Sequence, residues 1–315
     1  MSGMTWTWDA PTGVFKNHTL SGQLRFAAIA ETKFMQFVTP ESGYGKKKGE
    51  SVTITRVSNI SQPTNPRITE NERIPEGSLT LTTVSITVTE WGHAVPYTSL
   101  QDDLAAFDIQ NIIQKKLKEQ MRLSLDSGCC DAFQTALIKA IPDGPSSLTI
   151  DTDGTASTTA TVNLGVYHVE RIRDYMFSTL NVPPYEGDDY IGLVSTKGKR
   201  GLINDPGWED WKKYTDPSAK FNAELGRIEN IRFIEVNNTN ALSGSLGSGG
   251  VLGEALIFGE DAVAMASVTD PELRAEIPKD FGRKKSVAWY GILEFGLIWD
   301  TANAGEARVI HVTSA

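Results

Sequence analysis

The sequence predicts a mixed α+β fold in which a compact α/β segment is inserted between two parts of another domain. Three observations favour this arrangement. Runs of alternating apolar and polar residues within 49–91 predict a long β-ribbon, and a helical period follows over 100–141. Short apolar runs typical of buried strands then alternate with a helical pattern, before the chain returns to strands. The expected order is therefore arm, ribbon, long helix, α/β insert and returning strands.

Composition and charge limit the function. The 315 residues are 40% hydrophobic and 22% charged, which is typical of a globular protein with material for two domains. A formal net charge of −9 disfavours tight, sequence-independent DNA binding, because such binding relies on lysine and arginine at the phosphates. The sequence has no secretory signal pattern, no apolar run long enough to span a bilayer, and two cysteines that are adjacent. We therefore expect a soluble protein from a reducing compartment, without disulfides or a membrane association.

Residues 1–45 predict an extended arm, since their aromatic residues are scattered among turn formers without a sustained period. The ribbon begins with Val52 and Ile54 alternating with threonines, and a second strand is expected from Ser78 to Trp91. The apolar positions of this second strand change parity at Thr82–Thr83, which predicts a β-bulge. At about 3.3 Å per residue the strand would span about 45 Å, so we expect the ribbon to project from the body.

The strongest helical signal lies between Leu100 and Ile141. Ser99 can cap this helix, and apolar residues recur at helical spacing between lysines. A continuous helix would measure about 60 Å, and Gly128 can divide it because glycine is unfavourable in a helix interior. Residues 142–162 are rich in turn formers and predict a linker.

The segment after the linker alternates between helical and strand patterns, and a basic turn is expected at Lys197–Arg200. The last part of the chain has a strand pattern again. The predicted elements are a helix at 164–180 and strands at 190–195, 231–236, 255–259, 286–300 and 308–312.

The sequence contains no motif that supports catalysis or cofactor binding. The lysine cluster at 46–48 lacks the flanking residues of a phosphate-binding loop, and the loop at 243–250 lacks the third glycine of a dinucleotide-binding turn. His168–Glu170 has the H-x-E spacing of zinc deaminases, but no P-C-x-x-C follows. His93, three residues from Glu90, is better interpreted as a structural histidine. We therefore predict no enzymatic activity and no catalytic, cofactor-binding or metal site.

The cysteines and the remaining histidines, which are residue types that bind metals, also lack a suitable arrangement. Cys129 and Cys130 are neighbours on the predicted helix and point in different directions, which disfavours a shared metal ion. His18 and His311 lie near the termini, without a predicted partner.

Four segments, taken in their order and spacing, carry a resemblance to a known family. The first is IPEGSLTLTTVSITVTEWGHAVPYTSLQDDL at 74–104, with a strand, an aromatic–glycine turn and a helix start. The others are LSLDSGCCDAF at 123–133, ELGRIENIRFIEVNN at 224–238 and DPELRAEIPKDFGRKKSVAWYGILEFGLIWD at 270–300. Together they resemble the major capsid proteins of tailed bacteriophages, which have the Hong Kong phage-type capsid fold. The branch typified by the coliphage N-four capsid protein is the most similar.

The resemblance implies a division of the chain. The arm and the ribbon would each lie over a neighbouring subunit, and the inserted domains would gather around local five-fold or six-fold axes. The implied segments are an N-terminal arm at 1–45, an extended β-ribbon loop at 46–92, a peripheral domain with a spine helix at 93–162, an axial domain at 163–264 and return strands of the peripheral domain at 265–315.

The resemblance also implies a function. The chain would self-assemble through hexamers and pentamers into an icosahedral shell that encloses phage double-stranded DNA without sequence-specific contacts, first in the host cytoplasm and then in the virion. Scaffolding, portal and decoration proteins are further implied partners, and a separate scaffolding protein is expected because no long extension precedes the arm. No cofactor is implied. Candidates for contact with a neighbouring subunit are Lys46, Lys47, Lys48, Arg56, Glu76, Trp91, Lys199 and Arg200.

Three alternatives stay open. An encapsulin-like compartment shares this fold but encloses an enzyme, and it would need a groove for a cargo peptide that the sequence does not reveal. An α/β enzyme without a recognised motif would depend on His93 or His168. A β-rich adhesin or tail component agrees less well with the long amphipathic helix and the α/β insert.

Overall fold

The computed structural model describes residues 29–41, 47, 49–60, 62–63, 66–71, 73–105, 107–206, 224–277, 280–299 and 306–315. Most of the predicted arm, and two of the three lysines at 46–48, lie outside these residues. The described strands are β1 Thr39–Pro40, β2 Ser51–Val57, β3 Leu81–Thr87, β4 Thr89–Thr98, β5 Ile138–Gly144, β6 Ser147–Asp151, β7 Tyr190–Ser195, β8 Glu224–Ile228, β9 Ile231–Val236, β10 Ala255–Phe258, β11 Val263–Ala275, β12 Lys284–Leu297 and β13 Val309–Val312. The described α-helices are α1 Ser99–Leu104, α2 Ile109–Gln134, α3 Val166–Asp174 and α4 Thr196–Ile203.

The described elements pack as four layers. Helices α3 and α4 cover one face of a seven-stranded sheet with the order β6-β5-β13-β10-β7-β9-β8, and α2 covers its other face. The opposite side of α2 packs on a four-stranded sheet with the order β1-β11-β12-β4. Because α2 lies between the two sheets, its last turns are buried on both sides, with Cys129, Cys130 and Phe133 fully inaccessible. This arrangement confirms the predicted mixed α+β class.

The long helix is shorter than predicted. It begins at Ile109 and ends at Gln134, and residues beyond Thr135 form strand β5 where a continued helix was expected. The apolar residues Ile138, Ala140 and Ile141 suit either state, and the choice is made by pairing with β13, which is about 170 residues away in the chain. Gly128 does not divide the helix, since it lies inside α2 where the indole of Trp91 packs against its Cα.

The predicted linker is also structured. Strands β5 and β6 form a hairpin across 138–151 and belong to the seven-stranded sheet, as does β13 near the C-terminus. Sheet membership therefore crosses the boundaries of the implied segments 93–162 and 265–315. The sequence pattern did not predict this, because the same turn-forming residues occur in linkers and in hairpin turns, and the two differ only in whether the flanking strands pair with the rest of the sheet.

The strands predicted at 190–195, 231–236, 255–259, 286–300 and 308–312 are confirmed within one to three residues at their ends. The helix predicted at 164–180 is α3, continued by a π-helical turn from Tyr175 to Thr179. The basic turn predicted at Lys197–Arg200 is wrong, because these residues lie inside α4. That helix is capped by Ser195, whose hydroxyl accepts a hydrogen bond from the Gly198 amide.

The described part of the arm packs on its own subunit. Phe34 is fully buried against Phe133 of α2, and Phe37 stacks edge-to-face on Phe258. Strand β1 then pairs in parallel with the start of β11. The expectation that the whole arm reaches a neighbour is therefore wrong for residues 29–41, which bridge α2 and both larger sheets.

Candidate assembly surfaces

The ribbon consists of β2 and β3, which pair without a bulge from Ser51↔Thr87 to Val57↔Leu81. The bulge predicted at Thr82–Thr83 is wrong. Leu79 and Leu81 have the other parity because they face outward and are more than half exposed. The predicted strand Ser78–Trp91 also divides at Val88, where the chain leaves the ribbon and enters β4.

The apolar face of the ribbon is covered by the same chain. Ile86 is 3% exposed and packs with Ala264, Ala266 and Ile298. Gly296 allows this contact, since a Cβ there would lie 2.8 Å from Cγ1 of Ile86. The base of the ribbon is thus part of the subunit core, and only the remaining surfaces of the ribbon are free to meet another molecule.

Arg56 belongs to this covered face. Its side chain is 5% exposed, and its Nη1 donates a hydrogen bond of 2.9 Å to the carbonyl oxygen of Ile298. The sequence placed Arg56 among candidates for contact with a neighbour, whereas the structure gives it a contact inside the subunit. The sequence does indicate the face on which Arg56 lies, because residues 52, 54 and 56 of a strand point to the same side of the ribbon.

The outer face and the edges of the ribbon remain open. The outer face carries hydroxyls such as Thr53 and Ser85, whose oxygens lie 3.1 Å apart, and ends in the exposed cross-strand pair Val57 and Leu81. Hydrogen-bonded pairs alternate along an antiparallel ladder, so the N–H and C=O groups of residues 51, 53, 55 and 57 point away from β3. Within the described residues no further strand joins the ribbon, which leaves edges that can accept a strand from another chain.

The loop that connects β2 to β3 adds exposed apolar side chains. Ile74 is 70% exposed, and Ile60, Ile68 and Leu79 are each more than half exposed. Glu76, a predicted contact residue, is exposed in the same loop and forms an ion pair with Arg73. We call the described residues between positions 57 and 81 the ribbon tip.

A second exposed apolar surface lies at the far end of the four-stranded sheet. Helix α1 and the turn from β11 to β12 meet there, joined by a hydrogen bond from the Ser99 amide to the Arg283 carbonyl and by an ion pair of 3.2 Å between Lys285 and Asp102. We call its four apolar side chains, all at least 67% exposed, the end patch: Leu100, Leu104, Ile277 and Phe281.

The ribbon and the end patch lie at opposite ends of β12. The ribbon packs at Gly296, whereas Lys284 begins the strand beside the end patch. Twelve residues separate these positions, which corresponds to about 40 Å of extended strand. One subunit therefore offers two separate apolar surfaces that cannot cover each other.

The other predicted contact residues are distributed differently. Trp91 is half-buried, packs on α2 at Gly128 and stacks edge-to-face on Phe295, so it joins helix to sheet inside the subunit. Lys47 is exposed in a turn, and Lys46 and Lys48 lie outside the described residues. These placements leave the inter-subunit roles of the lysines as predictions.

The basic residues of α4 differ in their freedom. Lys199 forms an ion pair with Glu235 of β9, whereas Arg200 is exposed in the last turn of the helix. Burial opposes the charge of Glu235, but hydrogen bonds from Lys199 and Thr196 outweigh it and lower the pKa of the carboxyl. Arg200 is therefore the freer of the two for contact with a neighbour.

Asp126 holds the described part of the arm on α2. Its carboxylate is fully buried, and its Oδ1 accepts a hydrogen bond of 2.8 Å from the Phe34 amide. Burial raises the pKa of Asp126, while amide donors of the arm at Phe34 and Met35 oppose that shift. Sequence pattern alone does not predict this contact, because a lone aspartate in a helical pattern normally faces solvent.

The three histidines that the structure describes have different surroundings, and His18 lies outside the described residues. His93 is exposed on β4. His168 is buried, and its two ring nitrogens contact the Gly165 amide at 3.0 Å and the Gly144 carbonyl at 2.8 Å. Within the described ranges, no group of three or more histidine, cysteine, aspartate or glutamate residues could hold a metal ion, and no helix is both long and apolar enough to cross a membrane.

His311 does have partners, contrary to the sequence-based expectation. It is buried between Glu254 and Lys139, at 2.5 Å from a carboxylate oxygen of Glu254 and 3.0 Å from the Lys139 ammonium. Both residues are distant in the chain, so only the sheet brings them together.

Comparison with known proteins places this geometry in a structural class. No protein-family model and no curated protein sequence matches the chain. Among solved structures, the capsid of Ralstonia phage GP4 matches with a TM-score of 0.67 at 16% identity, covering 99% of both chains. The cyanophage Pam1 capsid subunit matches with a TM-score of 0.69 at 13% identity over 100% of both chains.

The chain has a phage capsid fold. A third match, from the head of Helicobacter pylori bacteriophage KHP40, has a TM-score of 0.69 at 12% identity and covers 96% of this chain and 98% of that one. Sequence identity this low establishes the fold alone.

Proposed function

We propose that this chain is the major capsid protein of a tailed bacteriophage and assembles through hexamers and pentamers into an icosahedral shell around double-stranded DNA. The observation that carries the proposal is the full-length match, since 99–100% of both chains superpose with the GP4 and Pam1 capsid subunits. A match of this kind extends over nearly the whole of each compared chain. The shell is then the function, and the subunit surfaces are its working parts.

Assembly in this proposal uses a head-to-tail contact. The ribbon tip of one subunit packs on a different surface of the next, because two unlike apolar surfaces at opposite ends of one sheet favour a heterologous interface. Heterologous contacts close into rings when the rotation between copies allows it. The open edge of β2 adds main-chain hydrogen bonds to a strand of a neighbour.

The implied domains take a modified form. We assign the peripheral domain to α2 and the four-stranded sheet, and the axial domain to the seven-stranded sheet with α3 and α4. Arg200, exposed on α4, then belongs to the domain nearest the symmetry axis. The lysines at 46–48 precede the ribbon and remain candidates for contact with a neighbour.

The finer parts of the proposal rest on the sequence. The order of its four quoted segments supports the coliphage N-four branch. An acidic subunit with a net charge of −9 suits a container wall that does not adhere to packed DNA. Scaffolding, portal and decoration proteins are proposed partners of the shell. We further propose that the shell assembles in the host cytoplasm and that the chain is finally located in the virion.

The proposal is tested on particles isolated from the producing cell. We expect the chain to sediment as large particles that protect double-stranded DNA from added nuclease. Particles that hold a folded enzyme and no nucleic acid would instead identify an encapsulin-like compartment. A chain that remains monomeric in the lysate and after purification would contradict the proposal.

A further inference from the structure

Three charged or titratable side chains are buried together beneath the end of α2. Lys139, His311 and Glu254 are 7%, 6% and 4% exposed, respectively. They lie on, or directly before, the neighbouring strands β5, β13 and β10 of the seven-stranded sheet. Lys139 and His311 are direct partners in the β5–β13 register, and Glu254 immediately precedes β10. Charged groups are rarely buried unless they are paired, so this cluster calls for a physical explanation.

The contacts define the protonation state of the cluster. The Lys139 ammonium can only donate hydrogen bonds, so the Nδ1 atom of His311, 3.0 Å away, is the acceptor. The Nε2 atom of His311 then carries the proton and donates to the Glu254 carboxylate at 2.5 Å. His311 is therefore neutral, and it separates one positive charge from one negative charge.

The cluster also ties the end of α2 to the sheet. Lys139 donates to the Gln134 carbonyl at 2.7 Å, and the Gln134 side chain donates to Glu254 at 2.6 Å. A cation beside the last carbonyls of a helix is favourable because of the helix dipole. The second oxygen of Glu254 accepts from the Ser243 amide, which attaches the loop before β10 as well.

One more proton would break this arrangement. Protonated at Nδ1, His311 would place an N–H donor against the Lys139 ammonium, so a hydrogen bond would be replaced by two facing cations. From α2, Asp131 and Cys130 are the other titratable groups near the cluster, both influenced by the Glu254 charge. Neither offers Nδ1 an acceptor in place of the lost contact, since only Lys139 is hydrogen-bonded to that atom among the described residues.

We propose that Lys139, His311 and Glu254 form a proton-operated latch, which holds the end of α2 on the seven-stranded sheet while His311 is neutral and releases it when His311 takes up a proton. The latch is a property of the subunit and goes beyond the proposed shell function. Release is local, because the first half of α2 is held separately on the four-stranded sheet, through Ile113, Leu117 and Met121, and does not contact the cluster. The segments freed are the last turn of α2, β5 and the loop before β10.

The pH range follows from the direction of the shift. Burial lowers the pKa of His311, and Lys139 lowers it further, while the hydrogen bond to Glu254 opposes both. A histidine whose pKa is lowered on folding contributes stability that is complete above its unfolded pKa of about 6.5 and is lost as the pH falls towards the folded value. Between these two pKa values, the equilibrium constant for local opening should increase about tenfold for each unit by which the pH falls.

Hydrogen exchange of the full-length chain tests the latch. Backbone protection is measured by mass spectrometry at about pH 7.5 and about pH 5, on either side of the ordinary histidine pKa, with correction for intrinsic exchange. We expect protection to fall at the lower pH in peptides from 130–144 and 241–256, but not in β4 or the first half of α2. In His311→Gln, whose amide can accept from Lys139 and donate to Glu254 but cannot be protonated, the loss should be absent.

The controls separate the latch from general acid sensitivity. His93→Gln removes an exposed histidine and should leave the wild-type response unchanged. Lys139→Met removes the facing cation and should weaken the response at the same peptides. Equal loss of protection in wild type and His311→Gln, or no loss in wild type, would overturn the proposal. If both variants fail to fold, an NMR titration of His311 in the wild-type chain decides: the latch requires its ring to titrate together with the local opening.

Discussion

Arg56 carries a buried charge on the covered face of the ribbon, one residue before the ribbon tip, where a hydrophobic residue would be expected to follow Val52 and Ile54. The guanidinium contacts the Ile298 carbonyl, and its Nε has no hydrogen-bond partner among the described residues. This hydrogen bond thus joins the covered face of the ribbon to the residue that follows β12. Alternation alone predicts the face on which Arg56 lies, but not that this face is covered by the same chain.

Arg56→Met tests this anchor. The variant keeps an apolar stem but leaves the buried Ile298 carbonyl without its donor, which costs about 1–3 kcal/mol. The free energy of unfolding, measured by denaturant titration of the unassembled chain, should fall by that amount. Arg283→Met removes a largely exposed guanidinium and is the matched control, with a change within about 0.5 kcal/mol. Equal effects of the two variants would refute the anchoring role.

Gly128 provides a second test of local packing. In an open helix, replacing glycine by alanine stabilises by about 1 kcal/mol. Here a Cβ would overlap Cη2 of Trp91, so Gly128→Ala should instead destabilise the chain by about 1–3 kcal/mol, as overpacking does. Thermal unfolding measures the difference. Combined with Trp91→Leu, the same substitution should cost less than it does alone, and strictly additive effects would exclude this contact.

The elements show where sequence reasoning reaches its limit. Patterns within ten or fifteen residues predicted the ribbon strands, α2 and the central strands, because the periods of 2 and 3.6 are local properties. The end of α2 and the start of β5 were missed, since Ile138–Gly144 becomes a strand only by pairing with β13. The positions of Arg56, Asp126 and His311 were missed for the same reason: their partners lie 57 to 242 residues away.

The arm anchor can be tested as an element. Asp126→Ala removes the acceptor that holds the Phe34 amide, leaving a buried donor unpaired at a cost of about 1–3 kcal/mol. We expect limited proteolysis to cleave the chain near residues 29–41 faster than in wild type, while α2 and the sheets stay intact. Asp131→Ala, on the next turn of α2, is the matched control. Unchanged cleavage in Asp126→Ala would show that the arm is held by its aromatic contacts alone.

The end patch can be separated from folding. Leu104→Ser and Phe281→Ser remove exposed apolar surface, so the unassembled chain should unfold within about 0.5 kcal/mol of wild type. If the patch contacts a neighbouring subunit, the concentration needed for assembly should rise at least about fivefold, corresponding to about 1 kcal/mol per contact. Light scattering measures assembly. Leu104→Met, which keeps the apolar area, should assemble as wild type does, and normal assembly of the serine variants would remove the patch from the interface.

For the whole molecule, the fold explains how one chain can serve as a shell subunit. Two sheets pack on either side of α2 and form the body of the subunit, while the ribbon tip and the end patch are exposed apolar surfaces at two separate places. The order of elements was readable from the sequence. The assignment of strands to sheets was not, because it depends on pairings between distant segments. Interfaces between subunits need more than one chain, so a single subunit indicates them only through the apolar area that it leaves exposed.

Electron cryomicroscopy of particles formed by the full-length chain is the decisive measurement for the proposed shell. We expect closed icosahedral shells of pentamers and hexamers, with each ribbon tip seated on the next subunit and its β2 edge paired with a neighbouring strand. Assemblies of another symmetry, or only monomers at high concentration in the presence of the producing cell's factors, would contradict it.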